Sequence, residues 1–297
     1  MISTIPLQRI KIIIETERRD AVEIYAFADE ASPSLAGQIR ALLDNRLCGI
    51  ELRNVDGVNV SALSKSAVRE IRRRLDAAEL SVWSIGSPVG KVGITDDFKP
   101  QTELLQRTLE IADCLGAKNL RLFSFYIPAS AHDAWREAVM ERLSRFVELA
   151  QGSGVTLCHE NEKGIFGDTA ARCAEIHRML PEIRAVFDPA NFVQCGEDAA
   201  KAWQLLRPYV RYLHIKDALA DGRIVPAGCG VGHIREILAD FAAAGGTAVT
   251  LEPHLAEFVG LSALERAGST SRIGEVFQYP TAEAAFTAAA DALRKLL

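Results

Sequence analysis

The sequence predicts an α/β protein, a single (β/α)8 TIM barrel, on three observations. Eight short apolar runs alternate with eight amphipathic segments along the chain. The runs are continuously apolar, as parallel strands covered on both faces by helices must be. None is followed by the glycine fingerprint with which an open doubly wound sheet holds phosphates. The chain has 297 residues with no shift in composition to mark a second domain, and barrels of this length are common. The domain is therefore taken as 1–297, with 1–22 as an N-terminal leader of uncertain structure.

The elements follow in order. In the leader, Ile12-Ile13-Ile14 precedes Glu15, Glu17, Arg18, Arg19 and Asp20, which reads as a leader strand, a cap on the barrel floor or a mobile arm. Strand one is expected at 23–29 and helix one at 34–46, announced by Ser32-Pro33. Strand two (48–52) and helix two (65–79) come next, then strand three (81–86) and a helix over 100–116 that Lys99-Pro100 opens. Gly116 and Gly152 stand where the third and fourth helices (100–116 and 132–151) need a left-handed residue to end. Strands four to eight are placed at 119–125, 156–160, 183–188, 210–216 and 247–252. Helices five to eight are placed at 169–180, after Asp168-Thr169, and at 197–206, 233–244 and 281–296. Gly228-Cys229-Gly230-Val231-Gly232 follows strand seven after a polar loop and reads as a flexible cover over the mouth or a phosphate site. The longest non-helical insertion, roughly 255–280, could cover the same opening.

Composition narrows the function. With 48% hydrophobic and 25% charged residues, the chain can build a core large enough for an enzyme. A net charge of −5 gives no long-range attraction to nucleic acid or anionic membranes, and Arg72-Arg73-Arg74 reads as a solvated face. Six scattered cysteines with no CxxC pair point to reduced thiols and a cytoplasmic setting. No apolar stretch approaches the ~18 residues of a membrane span.

Four strand ends carry the chemistry. Thr156-Leu157-Cys158-His159-Glu160, Ala185-Val186-Phe187-Asp188, Arg211-Tyr212-Leu213-His214 and Ala248-Val249-Thr250-Leu251-Glu252 each close an apolar run with a metal-binding side chain. Their spacings of 28, 26 and 38 residues are about one strand-plus-helix unit each, which brings Glu160, Asp188, His214 and Glu252 to one rim. Three carboxylates and an imidazole favour one hard divalent ion, Mn²⁺ first and then Mg²⁺ or Co²⁺, with Zn²⁺ and Fe²⁺ also compatible. Alternation along the strands adds Lys216, of His214 parity and facing substrate or a carboxylate such as Asp217, unless it forms a surface pair with that aspartate. His254 shares the parity of Glu252, and both Lys216 and His254 are candidate substrate contacts. His159, of opposite parity, reads as a supporting or packing residue, and Asn191 either caps a helix or touches substrate.

Glu160-Asn161-Glu162 with Phe166-Gly167-Asp168-Thr169, Phe187-Asp188-Pro189-Ala190-Asn191-Phe192, His214-Ile215-Lys216-Asp217 and Leu251-Glu252-Pro253-His254-Leu255 together resemble the xylose-isomerase-like TIM barrel superfamily. Within it they are similar to the sugar phosphate isomerase/epimerase branch, which includes tagatose/psicose-type ketose 3-epimerases. Phe27-Ala28-Asp29-Glu30 and Ile50-Glu51-Leu52-Arg53 fit the same pattern. The resemblance implies that the four ligands hold one metal ion, that Glu160 and Glu252 double as acid and base, and that Arg53 and Lys216 contact substrate. The sequence departs from the epimerases at Asn191, where they often carry histidine, and at Ala220, where they often carry arginine. An apurinic-endonuclease branch needs further histidines on early strands, and Arg53, Gly86-Ser87 and Ser124-Phe125 supply none.

The expected function is a divalent-metal-dependent isomerase or epimerase that moves protons through an enediolate of a small sugar or oxidised sugar derivative. A lyase or dehydratase acting on a keto-sugar, 3-keto-glycoside or polyol is the alternative, because the same enediolate can expel a β-substituent. A non-catalytic sugar-binding barrel is a third reading. The expected partners are a small carbohydrate and, as barrels of this kind often self-associate, further copies of the chain.

Overall fold

The computed structural model describes residues 22–128, 132–261 and 272–297, so the leader over 1–21 and the middle of the insertion after strand eight lie outside the described residues. The strands are β1 (Glu23–Ala26), β2 (Gly49–Leu52), β3 (Ser81–Ile85), β4 (Asn119–Leu122), β5 (Thr156–Glu160), β6 (Arg184–Phe187), β7 (Val210–Ile215) and β8 (Ala248–Leu251). They pair in parallel around a closed ring, β1 joining β8 through Glu23–Ala248 to Ala26–Leu251. The helices between and after them are α1 (Leu35–Asp44), α2 (Lys65–Ala77), α3 (Lys99–Leu115), α4 (His132–Ala150), α5 (Ala170–Met179), α6 (Ala199–Leu206), α7 (Ile234–Ala243) and α8 (Ala282–Arg294). Among the described residues no helix is long and apolar enough to cross a membrane.

Local chemistry accounts for the boundaries. Ser34, Ser64, Thr169 and Thr281 each accept an amide hydrogen from the first turn of α1, α2, α5 and α8. Gly116 ends α3 at φ 73°, where a side chain would be strained. The fourth strand stops at Leu122 rather than 125, because Phe123 and Phe125 give their amides to Val89 and Gly90 of the loop after β3, and Phe125 stands at φ 64°. A short helix over Pro189–Gln194, not anticipated from the sequence, follows β6. Asp188 caps it and Pro189 is preset for its first turn.

The period of two along each strand separates two interiors. Outward residues such as Leu157, Phe187, Leu213 and Leu251 join the large apolar layer under the helices. Inward residues Cys158, Val186 and Tyr212 form a separate small cluster, with Trp83 packed against it. Tyr25 stacks on Trp83 at 5.2 Å and Trp83 meets Tyr212 edge-on at 5.9 Å, so aromatic rings plug the barrel floor. Above that plug the inward side chains are mostly polar, with Phe27 and Phe123 packed against the charged groups there.

Candidate functional site

Continuing inward by steps of two, β5 carries Cys158 and then Glu160, β7 carries Tyr212 and His214 with Lys216 one residue beyond it, and β8 carries Thr250 with Glu252 one residue beyond it. Asp188 stands one residue beyond β6. Glu160, Asp188, His214 and Glu252 are all buried and each offers a ligand atom within 4.8 Å of the others. His214 Nδ1 lies 2.8 Å from Glu160 Oε1 and 3.4 Å from Glu252 Oε2. The four residues expected from strand spacing are thus brought together.

Each glutamate has one oxygen on this cluster and the other on an arginine. Arg121 Nη1 holds Glu160 Oε2 at 3.0 Å, and Arg53 Nη1 holds Glu252 Oε1 at 3.2 Å. Arg53 also grips Asp29 through Nε and Nη2 at 2.9 and 3.0 Å and Glu30 through Nη2 at 3.1 Å. Both guanidinium groups lie over the Phe27 ring, at 4.3 Å for Arg53 and 5.0 Å for Arg121, which fixes their planes. Beneath, His214 Nε2 lies 3.1 Å from Glu51 Oε2, and Glu51 also accepts hydrogen bonds from Thr250, Tyr212 and Ser84. A carboxylate behind the ring turns Nδ1 towards the cluster, as metal-binding histidines require.

Lys216 is not a surface residue paired with Asp217. Its ammonium is buried, 2.8 Å from Asp188 Oδ2 and 3.3 Å from Glu252 Oε2. Asp217 instead accepts the amides of Ala218, Gly228, Gly230 and Gly232, which pins the glycine loop expected to be flexible. His254 adopts φ 46°, so strand parity does not extend to it; its amide donates to Glu30 at 2.7 Å and its Nδ1 lies 3.9 Å from Glu252 Oε1. Asn191 neither caps a helix nor leaves its amide free: it donates through Nδ2 to Asn161 O at 2.9 Å, while Asn161 brackets the Asp188 backbone. His159 points outward to Ser124 Oγ at 2.9 Å.

Electrostatics follow from crowding. Burial, reinforced by Glu252 and Glu160, lifts Asp188 to about 7 even though Lys216 opposes it. Burial likewise lifts Glu30 to about 8 against the pull of Arg53. His214 goes the other way: burial would depress it, but Glu160 and Glu51 outweigh burial and hold a proton on the ring. Glu252, despite burial, is held well below the usual carboxylate range by Lys216 and His214. The one charged neighbour of Asp188 Oδ2 is the Lys216 ammonium at 2.8 Å. Three buried carboxylates converging on an imidazole aimed by Glu51 form a hard donor set that fits a divalent cation. A second grouping, Glu30, Glu252 and His254, also converges, but there Arg53 already bridges Glu30 Oε1 and Glu252 Oε1.

Spacing at strand ends did not single out Arg121 or the supporting role of Glu51. Both interrupt an apolar run at an inward position, Asn119-Leu120-Arg121-Leu122 and Gly49-Ile50-Glu51-Leu52, and that interruption is the signal that finds them.

Solved structures share this architecture. The probable 3-DHS dehydratase AsbF involved in petrobactin synthesis, from Bacillus anthracis, is 15% identical with a TM-score of 0.71, covering 92% of this chain and 99% of that one. An L-ribulose 3-epimerase is 20% identical at a TM-score of 0.70, covering 93% and 95%. The IOLI protein, solved with a bound zinc atom, is 16% identical at 0.69, covering 93% and 99%. At these identities the likeness establishes the fold. No curated protein matches the sequence. Residues 47–295 match the xylose isomerase-like TIM barrel family over most of the chain, and the protein belongs to that family.

Proposed function

We propose that the protein is a divalent-metal-dependent isomerase or epimerase that moves protons at carbon in a small sugar or oxidised sugar derivative. The observation that carries this reading is the matched pair of glutamates. Glu160 and Glu252 lie on strands three places apart around the ring, each clamped by an arginine on one oxygen and open to the cluster through the other. They therefore face a bound substrate from different sides.

Glu160, Asp188, His214 and Glu252 would hold the ion. When bound, it supplies Lewis-acid stabilisation of the negative charge that builds on oxygen when a neighbouring carbon loses its proton. The protein's own groups do the rest. One glutamate, ionised, would remove the proton from carbon while its arginine keeps the carboxylate in line; the other would enter the cycle carrying a proton and deliver it, and exchange of one proton with water would reset the pair. Delivery to the opposite face of the same carbon gives an epimer, and delivery to the adjacent carbon exchanges aldose and ketose. Positioned acid and base groups of this kind contribute about 10²–10⁴ in rate. Lys216, kept cationic by Asp188 and Glu252 against burial, can hydrogen-bond a substrate oxygen.

That same ammonium supports a second reading, a lyase or dehydratase, since it can stabilise a departing hydroxyl. Product analysis separates them: loss of water from the substrate would replace the isomerase reading. In protein loaded with Mn²⁺, Glu252→Gln and Glu160→Gln are expected to retain the fold by circular dichroism and to abolish solvent-deuterium exchange into a ketose. Metal content is measured alongside. Undiminished exchange in either variant with metal bound removes that residue from the proton-transfer role.

A further inference from the structure

We propose that Phe258, in the loop after β8, is a positioning residue: its ring covers the Arg53 guanidinium and, through Arg53, sets the carboxylate of Glu252. The proposal rests on the proton-transfer reading above only for its kinetic consequence.

The two arginine-held glutamates are built alike. Arg121, which holds Glu160, lies 5.0 Å from the centre of the Phe27 ring and 5.0 Å from that of Phe123. Arg53, which holds Glu252, lies 4.3 Å from the same Phe27 ring and 4.9 Å from that of Phe258. Each guanidinium therefore meets two aromatic rings, and Phe27 is common to both. The rings differ in where they come from. Phe27 and Phe123 each stand one residue beyond a strand, β1 and β4, and are buried. Phe258 lies well past the end of β8 and is half-buried. The cover on Arg121 is thus completed by the barrel wall, and the cover on Arg53 by a loop.

The N–H groups of an arginine lie in the guanidinium plane. In Arg53 that edge is taken up by Asp29 at 2.9 and 3.0 Å, Glu30 at 3.1 Å and Glu252 at 3.2 Å. The bond to Glu252 is the longest of these, so a guanidinium that rocks on Asp29 and Glu30 loses Glu252 first. An aromatic face attracts the cation without offering a rival acceptor in its plane. An aliphatic side chain in the same place would exclude water but would not attract. The loop is itself fastened to this group. The His254 amide donates to Glu30 Oε2 at 2.7 Å, and the His254 ring meets Phe258 edge-on at 5.5 Å. Glu30 therefore ties Arg53 and the loop to one carboxylate, and Phe258 closes the connection from the other end.

The test compares Phe258→Leu, which keeps an apolar cover, with Phe258→Tyr, which keeps the ring. Rotation about the Arg53 Nε–Cζ bond is read by nitrogen NMR on the metal-free, full-length protein, with Arg121 as the internal reference. Solvent-deuterium exchange into fructose is followed in the Mn²⁺-loaded protein. In Phe258→Leu, Arg53 is expected to rotate about fivefold faster, as loss of a half-buried cation–π contact implies, while Arg121 is unchanged. Maximal exchange should fall about fivefold with the KM for fructose within about twofold of wild type. Phe258→Tyr should restore both. Unchanged rotation in Phe258→Leu, equal loosening of Arg53 and Arg121, unchanged exchange beside faster rotation, or a failure of Phe258→Tyr to restore Arg53 overturns the proposal. Faster Arg53 rotation in a protein whose wild type exchanges no deuterium upholds the positioning of Arg53 and defeats the proton-transfer reading. Exchange in the wild type that Phe258→Leu leaves intact does the reverse.

Discussion

Glu51 shows how much of the candidate centre depends on residues that would not touch a metal. It is completely buried and holds His214 Nε2 while taking hydrogen bonds from Thr250, Tyr212 and Ser84. Glu51→Gln keeps the volume but removes the charge that orients the ring, and metal affinity is expected to fall by about 10–100-fold with the fold retained. Competition with a chelating dye measures it, and unchanged affinity would show that the ring is held by packing alone. Proton linkage gives a second expectation. Metal binding requires His214 to give up the proton that Glu160 and Glu51 stabilise, and Asp188 to be ionised. Affinity should therefore weaken as pH falls, and more steeply below about 7, where Asp188 also holds a proton in the metal-free protein. A titration that is flat across this range would contradict the linkage. At this scale the sequence was legible where chemistry sits at a strand end. It was less so at Lys216, whose partners come from β6 and β8 and not from the adjacent Asp217.

The loop after β7 is the element whose character changed most between sequence and structure. Five residues rich in glycine read as mobile, but a buried aspartate outside that run collects three of its amides. A β-carbon on Gly230 would come within 2.3 Å of Ala218 O and Asp217 Oδ1, so glycine there serves close approach as well as turning. Asp217→Ala strands these amides and is expected to destabilise the protein by about 2–4 kcal/mol. Hydrogen exchange should quicken at Gly228–Gly232 while β7 stays protected, and unchanged exchange would mean that the loop is held some other way. Strands and long helices were readable because burial on both faces and a 3.6-residue period leave local patterns. The helix over Pro189–Gln194 was not: six residues are too few to show a period, and it exists because Asp188 caps it.

Across the whole molecule, buried histidines outside the centre tie stability to pH. His177, on α5, stacks on Tyr209 with Nε2 unpartnered, and burial lowers it from 6.5 to about 4, with the Ile183 carbonyl opposing. Because the unfolded chain takes up a proton below 6.5 that the folded chain refuses until about 4, its contribution is full above 6.5 and is lost as pH falls through that window. Between pH 7 and 5 the wild type should lose about 2 kcal/mol more than His177→Gln in urea denaturation. Equal losses would show that the ring is protonated in the fold. Barrel closure itself was legible from eight repeats of strand and helix, but the division of each strand between an apolar outer layer and a polar interior above the aromatic floor required the register. That division has a consequence for laboratory evolution. An inward change in the upper barrel must be made in pairs, Arg121 with Glu160 or Thr250 with Glu51, because each is the buried partner of the other, whereas the outward neighbours Leu120, Leu122, Val249 and Leu251 sit in the apolar layer and can be varied without touching the site.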